Sequence, residues 1–108
     1  MSEKLFVYGT LGPKRPNAHV LENIGGTFCV AYVTGRLKAE GWGAELGFPG
    51  MVPDENGERI DGFVFTSDTL ADNWQVLDDF EGAGYRRVET TAVLSDGSRE
   101  TVWVYALV

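Results

Sequence analysis

The stretch Leu5-Phe6-Val7-Tyr8-Gly9-Thr10-Leu11 decides the fold, because an apolar strand runs directly into a glycine turn. A strand that ends this abruptly leaves backbone N–H groups beyond the ladder, where they can bind an anion or a carbonyl oxygen. The alternative is a tight turn whose N–H groups are bonded to water, and the turn residues alone do not separate the two. The residues from Lys4 to Leu11 predict the first strand of a sheet.

Length and charge limit the class of protein. The chain has 108 residues, enough for one real core, and we expect a single domain over residues 1–108. With 16 acidic and 9 basic residues the formal net charge is −7, which argues against nucleic acid or an anionic membrane as partner. No apolar run approaches the ~20 residues of a membrane span, and no signal-peptide pattern is found. Because Cys29 stands alone, we expect a soluble protein of the reducing cytoplasm.

Further strands alternate with glycine-rich segments. The stretch Thr27–Leu37 is apolar on both faces, which predicts a strand covered on both sides. The segment from Gly41 to Gly50 is predicted to be loop or broken strand, because glycines at this density mark bends and bulges.

Two dipeptides predict hairpin turns. Asn56-Gly57 predicts a hairpin between Met51-Val52 and a strand that begins at Ile60, and Asp96-Gly97 predicts another near the C-terminus. We therefore expect an α+β fold in which about six strands form a mixed, mostly antiparallel sheet that curls into a small β-barrel.

Two helices complete the predicted fold. The short helix begins after Asn17, a good N-cap residue, and ends at Gly25-Gly26. The longer helix begins at Ser67 or Thr69, either of which can cap it, and runs to about Phe80.

Glu81 is the candidate catalytic residue. Leu70, Trp74 and Leu77 define the buried face of the longer helix, and Glu81 returns to within about 20° of Leu70 at ~100° per residue. Burial and the negative end of the helix dipole both disfavour the carboxylate, so we expect a raised pKa that suits proton transfer near neutral pH. The alternative is that the helix frays after Leu77 and that Glu81 is a solvated loop residue.

Other reactive side chains suit structural roles better. Cys29 and His19 could form a nucleophile and its base, but a buried strand thiol and an exposed helical histidine are the favoured interpretation. Asp78, Asp79 and Glu81 could hold a hard cation weakly, although such a run is more often a solvated helix end. No zinc site is expected from one His and one Cys.

Short motifs occur in order along nearly the whole chain. They are Val7-Tyr8-Gly9-Thr10-Leu11, Phe48-Pro49-Gly50, Leu77-Asp78-Asp79-Phe80-Glu81-Gly82 with Tyr85-Arg86-Arg87, and Val102-Trp103-Val104-Tyr105. Each motif is weak alone, but the ordered set resembles the gamma-glutamylcyclotransferase-like (AIG2-like) family and is closest to its gamma-glutamylamine cyclotransferases. The resemblance implies a small mixed β-barrel with a few helices.

The resemblance also implies roles for individual residues. Glu81 is implied as the catalytic acid/base, and Tyr85 matches a tyrosine close to the pocket. The implied substrate-binding residues of the turn are Tyr8, Gly9, Thr10 and Leu11, whose backbone groups would bind the gamma-glutamyl moiety. Two departures, Gly12-Pro13 in place of a basic residue and Asn17-Ala18-His19 in place of adjacent Asn and His, leave the leaving-group specificity open.

The expected reaction is intramolecular and uses no cofactor or metal. The substrate's α-amine attacks its own γ-carbonyl, closes 5-oxoproline and releases an amine that the sequence does not identify. The expected partner is a small gamma-glutamyl substrate, and the protein is expected to be a monomer or homodimer. Two rivals stay open: a non-catalytic module that binds a small carboxylate or peptide end, and an enzyme for a gamma-glutamyl tag on a larger metabolite.

Overall fold

The computed structural model describes residues 3–9, 11–15, 17–38 and 50–107. In chain order its elements are β1 (Glu3–Val7), α1 (Ala18–Ile24), β2 (Thr27–Lys38), β3 (Gly50–Pro53), β4 (Glu58–Ser67), a 3-10 helix (Leu70–Asn73), α2 (Trp74–Glu81), β5 (Tyr85–Leu94) and β6 (Arg99–Leu107). The loop or broken strand predicted for residues 41–49 lies outside the described residues.

The strands form one mixed sheet that closes on itself. Its order is β3-β2-β4-β1-β6-β5, and a further pairing joins β2 to β5. The strands β2, β4, β1, β6 and β5 thus make a closed barrel, and β3 is an extra strand beside β2. The β1–β6 pair is parallel and the other pairs are antiparallel. The predicted α+β fold, a small mixed and mostly antiparallel barrel with two helices, is confirmed.

Strand β1 is buried on both faces. Phe6 packs inside the barrel with residues from every strand, whereas Leu5 and Val7 pack on the outer face beneath the helices. None of the three side chains is more than 4% exposed. A strand between two cores needs a continuous apolar run, and each large side chain stabilises the fold by roughly 1.5–3 kcal/mol on burial. These residues therefore fix β1 at the centre of the molecule.

The ends of the two helical segments are tied together by side-chain hydroxyls. Gly25, with φ 88°, ends α1 as predicted, and its N–H donates to the Leu21 carbonyl. The Ser67 hydroxyl donates to the Gly25 carbonyl at 2.6 Å, and the Thr69 hydroxyl donates to the Ile24 carbonyl at 3.1 Å. Thr69 is the N-cap residue of the 3-10 helix, as one of the two predicted cap positions, but its hydroxyl makes no cap hydrogen bond.

Strand β2 is not covered on both sides. Cys29 and Val30 are exposed, Val30 to 58%. The apolar cluster beneath the helices includes residues of β1, β4 and β6 but reaches β2 only through Phe28. The helices are too short to cover the whole barrel, so Val30 on the outer face of β2 lies beyond them, whereas Cys29 is on the opposite face, with Ala31 and Val33.

The turn at Asn56-Gly57 joins two strands that do not pair with each other. β3 and β4 lie on opposite sides of β2, where Gly35 faces Pro53 on one side and Glu58 on the other. Strand β2 has 12 residues and offers both of its edges, so it is the partner of both strands. The hairpin predicted there is wrong, whereas the hairpin at Asp96-Gly97 is confirmed by the antiparallel register of β5 with β6.

The longer helix is interrupted. A 3-10 helix over Leu70–Asn73 precedes α2, which begins at Trp74 and ends at Glu81. The Asn73 side-chain amide donates to the Thr69 carbonyl at 2.7 Å and so stabilises the 3-10 turn. The predicted apolar face is kept across the interruption, because Leu70 and Leu77 are both 0% exposed.

Candidate active site

The glycine turn, of which the structure describes Tyr8, Gly9, Leu11 and Gly12, follows β1 directly. β1 ends at Val7, earlier than the predicted Leu11, and the Gly12 N–H donates to the Gly9 carbonyl at 3.2 Å. The N–H groups of Gly9 and Leu11 lie beyond the register of β1 with its neighbours. Leu11 is 5% exposed and anchors the turn in the core beneath the helices. Thr10 lies outside the described residues.

Tyr8 joins three strands through its hydroxyl. The hydroxyl donates to the carbonyl of Tyr105 at 2.8 Å and accepts the backbone N–H of Met51 at 3.1 Å. Its ring stacks on Phe6, with centroids 6.2 Å apart. Burial, the largest cause, and the charge of Glu81 raise the pKa of Tyr8 above its ordinary value, although the Met51 N–H lowers it. Tyr8 is therefore neutral near pH 7, and its hydroxyl is a fixed part of the protein framework.

A cavity of about 190 Å³ adjoins the glycine turn. It is lined by Val7, Tyr8, Gly9, Gly12, Arg15, Val30, Asp61, Gly62 and Phe63. This volume is below the roughly 300–1,000 Å³ of sites for drug-sized ligands, so the cavity suits a small polar group such as a carboxylate.

Glu81 is the last residue of α2 and is half-buried. Gly82 ends the helix with φ 81°, and its N–H donates to the Asp78 carbonyl at 3.0 Å. The alternative in which the helix frays after Leu77 is therefore wrong. Burial raises the pKa of Glu81 to about 7, in the predicted direction. A carboxyl group with this pKa can both accept and donate a proton near neutral pH.

Electrostatic effects connect Glu81 with the glycine turn. After burial, which is the largest cause, the charge on Glu81 contributes to the raised pKa of both Tyr8 and Tyr105. Tyr85, the first residue of β5, is half-buried and also contributes to the raised pKa of Tyr8. Because solvent and salt screen charges, one group changes the pKa of another only when the two lie close together. Tyr8 thus lies close enough to Glu81 and to Tyr85 for their charges to affect its pKa.

Tyr105 has a polar role that the sequence analysis, which names the residue only as part of a motif, does not predict. The Tyr105 hydroxyl donates to Asp78 Oδ1 at 2.7 Å, and Asp78 Oδ2 lies 3.6 Å from Nη2 of Arg87. The Arg87 guanidinium lies 4.2 Å from the ring centroid of Trp74 and 5.3 Å from that of Trp103. The adjoining cleft of about 520 Å³ is lined by Asp78, Tyr85, Arg86, Arg87, Trp103 and Tyr105. The signal in the sequence is a hydroxyl at a core position, since a buried hydroxyl needs a partner.

The other candidates form no second site. Cys29 is exposed on β2, so the prediction of a buried thiol is wrong, and His19 is exposed on α1 as predicted. Within residues 3–9, 11–15, 17–38 and 50–107, no group of three or more His, Cys, Asp or Glu side chains is arranged to hold a metal ion. In the same part of the chain, no helix has both the length and the apolar character that a membrane crossing requires.

Fold and site together define a class of protein: a small closed β-barrel with a half-buried glutamate at a helix end, close to a glycine turn. The family model described as gamma-glutamyl cyclotransferase, AIG2-like, matches residues 5–108. The chain belongs to this family. No curated protein matches the chain.

Solved structures share the fold. YkqA from Bacillus subtilis is 29% identical with a TM-score of 0.74, and the match covers 99% of this chain and 36% of YkqA. A protein from Arabidopsis thaliana is 24% identical with a TM-score of 0.72, and the match covers 99% of this chain and 62% of that protein. An AIG2-like protein from Mus musculus is 24% identical with a TM-score of 0.70, over 97% of this chain and 76% of the mouse protein. The chain thus spans less than two thirds of the length of the first two of these proteins.

Proposed function

We propose that the protein is a gamma-glutamyl cyclotransferase that converts a small gamma-glutamyl substrate into 5-oxoproline and a free amine, with Glu81 as acid/base. The observation that carries this proposal is a half-buried carboxyl group whose pKa is about 7 and whose charge acts on Tyr8 of the glycine turn. Membership of the gamma-glutamyl cyclotransferase, AIG2-like family supports the class of reaction.

The first step needs a proton acceptor. The substrate's α-amine is an ammonium ion near neutral pH and becomes a nucleophile only after it loses a proton, which the ionised Glu81 accepts. The freed nitrogen attacks the γ-carbonyl carbon, and the new C–N bond closes a five-membered ring. Because nucleophile and carbonyl belong to one molecule, the protein mainly selects a reactive conformer, and such tethering is worth effective molarities of ~10⁵–10⁸ M.

The second step needs a proton donor. The bond from the γ-carbon to the leaving nitrogen breaks as Glu81 returns its proton to that nitrogen. The ring nitrogen loses its second excess proton, which reaches the released amine through solvent, so the products are 5-oxoproline and an ammonium ion. Glu81 ends the cycle ionised, and no electrons are exchanged with any other group. One carboxyl group with a pKa near the working pH serves both steps.

The glycine turn supplies the binding groups. The N–H groups of Gly9 and Leu11 beyond β1, with Arg15 in the wall of the adjacent cavity, suit the α-carboxylate or the oxyanion that forms on the γ-carbonyl. The Tyr8 hydroxyl is already bonded to Met51 and Tyr105, so Tyr8 contributes its ring and backbone rather than its hydroxyl. Tyr85 contributes an aromatic wall on the side of β5.

The proposal is tested by incubating the protein with a panel of gamma-glutamyl amines and gamma-glutamyl dipeptides and measuring 5-oxoproline. We expect at least one member to yield 5-oxoproline together with an equal amount of free amine. Binding without product, measured calorimetrically on the same panel, contradicts catalysis and favours a non-catalytic binding module. Product from larger gamma-glutamyl conjugates alone keeps the reaction and changes the substrate.

A further inference from the structure

Tyr105 contacts both halves of the proposed site. Its backbone carbonyl accepts the Tyr8 hydroxyl at 2.8 Å, and its own hydroxyl donates to Asp78 Oδ1 at 2.7 Å. Tyr8 begins the glycine turn, and Asp78 lies on α2 one helical turn before Glu81. Tyr105 itself is 4% exposed and belongs to the core beneath the helices, so its position is fixed by packing.

We infer that Tyr105 is a positioning residue, which joins the end of α2 to the glycine turn and so holds the Glu81 carboxyl in its working position. This inference rests on the proposed function of Glu81. Helix α2 has only 8 residues, fewer than the ~12–15 at which an isolated helix becomes marginally stable. Its C-terminal turn must therefore be held by tertiary contacts. Leu77 and Phe80 pack on the core beneath the helices, and the bond from Tyr105 to Asp78 ties the same turn to β6.

Asp78 is held from a second side. Arg87 Nη2 lies 3.6 Å from Asp78 Oδ2, and the guanidinium packs against the rings of Trp74 and Trp103. A hydrogen bond to a carboxylate is shorter and stronger than one between neutral groups, so the Tyr105 hydroxyl is a firm anchor. The Asp78 side chain is 44% exposed, so loss of that hydroxyl leaves the carboxylate hydrated and not buried without a partner. The variant Tyr105→Phe is therefore expected to fold.

Access of water to the end of α2 is the main variable that sets the protonation of Glu81. The charge of Glu81 acts on Tyr8 after β1 and on Tyr105 on β6. Tyr85 on β5 acts on Tyr8, and Arg87 on β5 and Asp78 on α2 act on Tyr105. Burial, as the largest cause, raises the pKa of Tyr8 and of Tyr105, so both are neutral near pH 7. A helix end released from Tyr105 admits water, and hydration lowers the pKa of Glu81 from about 7 toward its ordinary value of 4.5.

The experiment compares Tyr105→Phe with the unmodified protein by two measurements. One is the rate of 5-oxoproline release, and the other is the titration of the Glu81 carboxyl carbon by NMR, which needs no activity. We expect kcat to fall by about tenfold or more with KM within about threefold, because the turn still binds substrate. We expect the Glu81 midpoint to fall by about one pH unit or more. The matched control is Tyr32→Phe on β2. The Tyr32 ring lies against Arg59, and its substitution should change neither kcat nor the Glu81 midpoint.

Substitutions of Asp78 test the same bond from the other side. Asp78→Asn keeps an oxygen that can accept the Tyr105 hydroxyl and should retain more activity than Asp78→Ala, which removes the acceptor. Asp79→Ala, next along the helix and bonded to Gln75, is the matched control. If Tyr105→Phe does not fold, Asp78→Ala removes the same bond at an exposed side chain and gives both measurements.

The inference about Tyr105 and the proposed function can be contradicted independently of each other. An unchanged Glu81 midpoint in Tyr105→Phe and in Asp78→Ala contradicts the inference, whether or not the protein turns over. Full kcat in an active Tyr105→Phe protein also contradicts it. A protein that releases no 5-oxoproline contradicts the proposed function, and the Glu81 titration then still decides whether Tyr105 positions the carboxyl group.

Discussion

Glu81 carries an energetic cost that follows from its position. Burial raises its pKa from 4.5 to about 7, so the folded chain binds this proton more tightly than the unfolded chain. The free energy of unfolding is therefore highest, as far as Glu81 is concerned, below pH 4.5, and it decreases as the pH rises toward 7. Above that range the ionised carboxylate costs up to about 3 kcal/mol. Such a cost is typical of a residue kept for function rather than for stability.

The substitution Glu81→Gln tests this cost by its pH dependence. We expect the melting temperature of Glu81→Gln to exceed that of the unmodified protein by several degrees at about pH 8, and by little at about pH 4, where Glu81 is protonated in both states. Thermal unfolding followed by circular dichroism at both pH values measures the difference. Asp79→Asn, at an exposed carboxylate of the same helix, should show no such trend. An equal effect of Glu81→Gln at both pH values contradicts the buried, ionisable carboxyl.

At the scale of the element, the end of α2 depends on Gly82. Its φ of 81° and ψ of −175° lie in a region that is essentially confined to glycine, and which a residue with a Cβ adopts at a cost of about 1–3 kcal/mol. Gly82 follows Glu81 directly, so the same conformation that ends the helix also orients the catalytic candidate. Nothing lies within 4 Å of a Cβ added at Gly82, so the cost is one of backbone conformation and not of a clash.

We expect Gly82→Ala to lower the melting temperature by several degrees, because alanine strains the positive-φ conformation that ends α2. Gly84→Ala is the matched control, since an added Cβ there also meets nothing within 4 Å and the residue does not have a positive φ. Differential scanning calorimetry of the two variants measures the contrast. Equal melting temperatures for Gly82→Ala and Gly84→Ala would show that the end of α2 is not held by this conformation.

Local patterns predict those elements whose structure depends on nearby residues. The hairpin at Asp96-Gly97 and the burial of Glu81 follow from turn chemistry and from the helical period, and both are found. The Asn56-Gly57 turn joins two strands that each pair with β2 and not with each other. A local sequence pattern cannot predict which distant strand a given strand will pair with. Tyr105 on β6 is buried, but its partner Asp78 comes from a different element, which no local pattern along β6 indicates.

At the scale of the whole molecule, barrel closure brings the two ends of the chain into one site. Strands β1 and β6 pair in parallel, with Leu5 beside Trp103, so Tyr8 at the end of β1 reaches Tyr105 on β6. The barrel closes where β2 meets β5, and helices on the outer face carry Glu81 to the same end. The family resemblance names the residues of the candidate site from the sequence, whereas their arrangement depends on this closure.

The most direct test of the proposed function compares 5-oxoproline release by the unmodified protein and by Glu81→Gln on the best substrate of the panel, near neutral pH. The amide of Gln matches the carboxyl group in shape but neither accepts nor returns the proton, and general acid–base catalysis contributes typically ~10²–10⁴-fold. We expect kcat to fall by about 10³-fold with KM little changed, in a protein that melts no lower than the unmodified one. Turnover by Glu81→Gln within about tenfold of the unmodified protein contradicts the assignment of Glu81 as acid/base.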